Sequence, residues 1–257
     1  MTEKSLLVKQ ETYLEAGIHI GTKIRTFDMR DFVFKRRDDG LYILDLRKTD
    51  ERLLAAAKLM GKLEPKDVLI VASRAYSSNP AKKFSELTGI PILPGRFIPG
   101  TMTNLSYKGF KEPKLLFVCD PKGEREAITE AAKNGIPVIA LCDTDNETKY
   151  IDMIIPANNK GRRALALIFY ILTRELMLSQ GKIKSYDEYD YKISQFEEIL
   201  PEEPKKLLEK VQEKTIKEKP VENKEEKPKE TKKEEKPKEE KKKSLEKVSS
   251  KEGPKKK

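Results

Sequence analysis

A chain of 257 residues has room for one large domain or two small ones. It carries 53 Lys and Arg against 43 Asp and Glu, a net charge of +10, with one His, two Cys and no Trp. That inventory excludes a zinc site built on clustered Cys and His and a disulfide scaffold. No uninterrupted apolar run approaches the ~18 residues of a membrane span.

In chain order, the first landmark is Ala16-Gly17-Ile18-His19-Ile20-Gly21-Thr22, with the single histidine between two glycines. A lone histidine there reads as a hydrogen-bonded structural residue before it reads as a general base. Basic groups with aromatic neighbours follow: Lys23 and Arg25 near Phe27, then Arg30, Lys35, Arg36 and Arg37 around Phe32 and Phe34. Leu41–Leu46 is the first apolar run, read as a strand buried on both faces. Thr49 is a plausible N-cap, and the segment behind it places Leu53, Ala56, Ala57 and Met60 on one helical face.

Val68–Ala72 reads as the next buried strand, and Pro80–Leu87 as a helix. Gly95–Asn104, sequence GRFIPGTMTN, spaces two glycines as a phosphate-cradling loop does. Thr101 and Met102, however, stand where that loop needs Lys and Ser/Thr. Arg96 and Phe97 of this segment face a partner, or the whole loop packs on its own body through Phe97 and Ile98.

Leu115–Cys119 and Val138–Cys142 read as strands whose terminal cysteines are buried, which suits a reducing cytosol. Asp120 and Asp143 follow them, either as a Mg²⁺-binding pair or as helix-cap and turn residues. Glu124–Lys133 is helical and stops at Asn134-Gly135. After the strand Asp152–Ile155, the run Asn158-Asn159-Lys160-Gly161-Arg162-Arg163 enters the longest helix, Arg162–Ser179. Unpaired N–H groups at a helix start favour anions. Two arginines occupy positions where Asp or Glu would stabilise the helix.

Pro201–Lys257 contains 21 Lys and 15 Glu, with no Arg and no aromatic residue. Such a segment cannot bury enough apolar surface to offset its chain entropy. The expectation is a body over residues 1–200 and a disordered charged tail over 201–257. The tail holds +6 of the net charge and the body +4, together with all 12 arginines. The tail is then a weak attractor of polyanions or simply a solvated segment.

Alternating strands and helices predict a parallel sheet covered by helices on both sides, with any ligand at the carboxyl ends of the strands. An enzyme lacks its parts here: no G-x-G-x-x-G, no G-x-x-x-x-G-K-[ST] and no G-x-S-x-G.

Six segments in order, AGIHIGT (16–22), DGLYILDLRKT (39–49), GRFIPGTMTN (95–104), EPKLLFVCDP (112–121), NGIPVIALCDT (134–144) and IPANNKGRR (155–163), carry a resemblance. Together they resemble the universal small-subunit ribosomal protein S-two family, over about residues 9–180. The resemblance implies a flavodoxin-like three-layer α/β/α fold with a central parallel sheet. Only Leu105–Glu112 separates Asn104 from Pro113, too short for the helical hairpin of bacterial members; the P-G-T-x-T-N loop and the charged C-terminal extension look archaeal, and eukaryotic cytosolic members share the loop. It further implies a cytoplasmic structural constituent of the small ribosomal subunit. Its partners would be small-subunit rRNA and neighbouring ribosomal proteins near the head–body junction. No catalytic residue, metal, cofactor, small-molecule substrate or membrane belongs to that picture. The candidate RNA-binding residues are Lys23, Arg25, Arg36, Arg37, Arg96, Asn104, Asn158, Asn159, Lys160, Arg162 and Arg163. The alternatives are docking mainly on ribosomal proteins and, remotely, a nucleotide-binding α/β enzyme.

Overall fold

Residues 6–197 are described by the computed structural model. Their centre is an all-parallel sheet of β3 (Val68–Ala72), β4 (Ile92–Pro94), β5 (Leu115–Val118), β6 (Val138–Cys142) and β7 (Met153–Pro156). Every residue of β3, β5 and β6 is buried, as strands covered on both faces must be. The spatial order is β4-β3-β5-β6-β7, the doubly wound order of the flavodoxin-like fold, whose switch point lies between β3 and β5.

Side-chain alternation divides the core in two. Val68, Ile70, Phe117, Ile139 and Leu141 face helices α2 (Leu46–Gly61), α3 (Ala75–Thr88) and α5 (Arg162–Ser179). Helix α5 is the centre of that layer, with 13 buried residues. Short helices α1 (Gln10–Ala16) and α6 (Ile193–Glu197) pack against it from outside. Leu69, Val71, Leu116, Val118 and Ala140 face the other way, towards α4 (Arg125–Lys133). A single helix cannot cover a five-stranded sheet, and Met29, Leu44, Phe97 and Met102 complete that layer.

Three expectations need correction. Leu41–Leu46 does not join the main sheet; Tyr42–Leu44 forms β2, paired antiparallel with β1 (Val33–Arg36) in a separate two-stranded ribbon. Thr49 is not an N-cap. Helix α2 starts at Leu46, where the Asp45 carboxylate accepts from the Arg47 N–H at 3.0 Å. The Thr49 hydroxyl is buried instead, 2.6 Å from the Pro156 carbonyl, and ties α2 to β7. Helix α3 begins at Ala75, with Pro80 in its second turn.

Residues 105–112 form turns without a helix, as a chain without the hairpin insertion requires. Cys119 and Cys142 are free and buried, and burial pushes both thiols well up. The proposed tail, 201–257, lies outside the described residues.

Candidate nucleic-acid interface

Parallel strands bring their carboxyl ends to one edge. Arg74 follows β3, Arg96 follows β4, Lys122 and Arg125 follow β5, and Lys160–Arg163 follow β7. The segment after Gly21 is strapped onto the same edge. The Thr22 N–H donates to the Thr144 hydroxyl at 2.9 Å, and the Thr26 N–H to the Thr144 carbonyl at 2.9 Å. Gly21 permits this approach, because a Cβ there would meet Thr144 Cγ2 at 2.5 Å.

The fold's usual anion positions on this edge are filled from within. At the β3/β5 switch point the buried Glu124 carboxylate accepts from the N–H groups of Ser73 (2.6 Å), Cys119 (2.9 Å) and Asp120 (3.2 Å). Burial raises the Glu124 pKa to about 7, against the opposing effect of those hydrogen bonds. Beside it, Asp120 takes a 2.6 Å ion pair from Arg74.

The loop Gly95–Asn104 is held in the same way. The Glu130 carboxylate of α4 accepts from the Gly100 N–H and, at 3.1 Å, from the Met102 N–H. The amides that would cradle a phosphate thus face the chain's own carboxylate. A hollow of about 410 Å³ lined by Lys66, Leu69, Pro91 and Pro113 lies at the opposite edge of the sheet.

The structure divides the predicted residues into two groups. Lys23, Arg25, Arg36, Arg37, Arg96, Arg162 and Arg163 are exposed. Arg25 and Arg36 sit over the Tyr42 ring at 5.1 and 5.5 Å from its centroid, which fixes both guanidinium groups, and Arg36 Nε also donates to the Gly40 carbonyl at 3.4 Å. Arg37 pairs with Asp39 at 3.3 Å, both largely exposed. Arg162 and Arg163 open α5 with no acidic residue in its first turn. Arg96 points outward, but Phe97, expected beside it at a partner surface, is buried in the core, so the loop both packs inward and presents a cation.

The second group faces inward. Asn159 is fully buried and donates to the Leu141 carbonyl and to Asn146, both at 3.0 Å. Asn158 accepts from the Lys160 and Gly161 N–H groups at 3.0 Å. The Lys160 ammonium pairs with Asp143 at 3.0 Å and Asp145 at 2.7 Å. Burial works to lower its pKa, but the two carboxylates outweigh it and leave it raised. These residues shape the loop that carries Arg162 and Arg163. Asn104 belongs to neither group: it is exposed, but its side chain accepts from the Ser106 N–H at 3.0 Å, a local turn.

His19 contributes through its backbone, its carbonyl accepting from the Leu44 N–H at 2.8 Å. Burial lowers the imidazole pKa. Sequence reasoning left Arg30 and Lys149 out of the candidate set. They stack on Phe27 and Tyr150 at 5.0 and 4.9 Å, and a cation beside an exposed aromatic was the available signal.

The family model of ribosomal protein S2 matches residues 13–111 and 107–178. The chain belongs to the ribosomal protein S2 family. It is 48% identical over 195 residues to the small ribosomal subunit protein uS2 of Thermoplasma acidophilum, covering 76% of this chain and 98% of that one. With the uS2 protein of Methanococcus maripaludis strain C6 it shares 50% over 194 residues, covering 74% and 88% of the two chains. The S2 match runs from within α1 almost to the end of α5. It therefore contains the whole sheet, the Gly95–Asn104 loop and the basic edge.

Proposed function

We propose that this S2-family chain is a structural constituent of the small ribosomal subunit in the cytoplasm. Its carboxyl edge and β1–β2 ribbon grip folded small-subunit rRNA near the head–body junction, and its other surfaces meet neighbouring ribosomal proteins. The observation that carries this reading is the opposite fate of cations and amides on one edge. Arg25, Arg36, Arg96, Arg162 and Arg163 are exposed, while Glu124 and Glu130 engage the amides that a small anionic ligand would need. Such an edge suits a large polyanion recognised by shape and phosphate spacing, and the role is architectural, without chemistry.

Reconstitution tests it. A chain with Arg25, Arg36, Arg162 and Arg163 all changed to Ala should keep its melting temperature within a few degrees, because the four side chains are exposed. It should enter small subunits at least about tenfold less well than wild type, since every phosphate left without its cation weakens binding. Wild-type incorporation would contradict the proposal. A second reading, docking mainly on ribosomal proteins, draws support from Ile98 and Leu105, large apolar residues left exposed on the Gly95–Asn104 loop and just after it.

A further inference from the structure

Two exposed rings stand apart from the arginine set. Phe27 is 78% exposed with the Arg30 guanidinium 5.0 Å from its centroid. Tyr150 is 54% exposed with the Lys149 ammonium at 4.9 Å. Their turns are fastened side by side. The Thr148 hydroxyl donates to the Asp28 carboxylate at 2.6 Å, and the Thr26 hydroxyl to the Asn146 carbonyl at 2.9 Å.

Tyr150 is also the only non-glycine with a left-handed backbone among the described residues, at φ 65°. A bulky residue is strained there, where Gly or Asn would be relaxed. Packing does not account for Tyr at this position, since the ring is largely in solvent. Ile24 and Phe34, 68% and 69% exposed, add apolar surface on the same stretch of chain.

Charge identifies the occupant. Residues 22–37 hold six cations, Lys23, Arg25, Arg30, Lys35, Arg36 and Arg37, against two carboxylates, Asp28 and Asp31. An apolar protein surface would gain nothing from that field, and an acidic one would leave the rings without a flat partner. An unpaired nucleotide supplies both halves, a π face for each ring and a phosphate for the cations. A duplex supplies phosphates but hides its base faces within the stack.

We propose that Phe27 and Tyr150 form a stacking platform for unpaired bases of RNA, with Arg30 and Lys149 positioned to meet the adjoining phosphates. The proposal rests on the rRNA reading for the identity of the strand. It adds that the contact is single-stranded and that the rings, beyond the arginines, select it.

The test uses the full chain, a short single-stranded RNA carrying 2-aminopurine, and a duplex of equal length. Wild type should quench the 2-aminopurine fluorescence. Phe27→Leu and Tyr150→Gly should each weaken single-strand binding about fivefold or more, the low end for loss of one stacked base. Duplex affinity and the salt dependence of binding should stay unchanged, because no charge is altered. Phe27→Trp should keep wild-type affinity, and Tyr150→Gly suits the backbone, so misfolding does not cloud the result. Equal losses on single strand and duplex, or no loss on either, would overturn the proposal. So would a photoreactive benzoylphenylalanine at position 27 that cross-links only to protein in assembled subunits. A chain that binds both RNAs with full salt dependence yet ignores these substitutions would remove the platform and leave the rRNA role standing.

Discussion

Glu124 illustrates how a single side chain changes the use of a fold. Both of its carboxylate oxygens are engaged by backbone N–H groups at the β3/β5 switch point, where a doubly wound sheet ordinarily receives its ligand. Burial lifts its pKa from 4.5 to about 7, so the folded chain holds this proton more tightly than the unfolded chain does. The resulting stabilisation is complete below about pH 4.5 and is lost as pH rises through about 7, on the order of 3 kcal/mol in all. Denaturant unfolding of wild type and Glu124→Gln, which cannot titrate, should reveal it. The gap between them should shift in favour of the Gln variant by that order from pH 4.5 to 8, and a constant gap would contradict the assignment. The neighbouring residues show what a sequence hides at this scale. Asn159 and Lys160 sit in a basic, Asn-rich run that reads as surface. Their partners Leu141, Asp143 and Asp145 are 15 to 18 residues away, and only the parallel pairing of β6 with β7 brings them together.

The Gly95–Asn104 loop is a layer element as well as a connection. With α4 alone on its face of the sheet, Phe97 and Met102 supply apolar cover that another helix would otherwise give. Glu130 clamps the loop to α4 by taking the Gly100 and Met102 N–H groups. Glu130→Ala leaves both donors without that acceptor and should destabilise the chain by about 1–3 kcal/mol. Amide exchange should quicken at Gly100 and Met102 while the buried middle of α5 keeps its protection; unchanged exchange at those two amides would refute the clamp. Much at this scale was legible. Val68–Ala72, Val138–Cys142 and α5 follow directly from apolar runs and helical period, and α4 ends at Lys133, directly before the predicted Asn134-Gly135 stop. The short edge strand β4, which ends in a proline, and β1, with sequence VFKR, lack the apolar run that marks a strand. Leu41–Leu46 has such a run, yet apolarity does not say which sheet a strand joins. That is decided by the antiparallel partner Val33–Arg36.

For the whole molecule, the arrangement separates a rigid interior from exposed cations. The sheet and its helices fix the positions of loop ends, and arginines on those loops and on the β1–β2 ribbon face outward. The sequence foretold this division in part, because all 12 arginines fall outside the Lys/Glu tail. Not all of them are open to a partner, however. Arg174 is buried beside Glu175 at 2.9 Å, and Arg74 is committed to Asp120. The most direct measurement of the central claim is the salt dependence of binding between the full chain and a small-subunit rRNA fragment. The account predicts a steep fall in affinity from low to physiological salt, roughly 0.7–0.9 in the log–log slope for each phosphate neutralised. The chain with Arg25, Arg36, Arg162 and Arg163 changed to Ala should have a slope shallower by about one for each phosphate it no longer neutralises. A flat response in the wild-type chain, or identical slopes in the two, would contradict it.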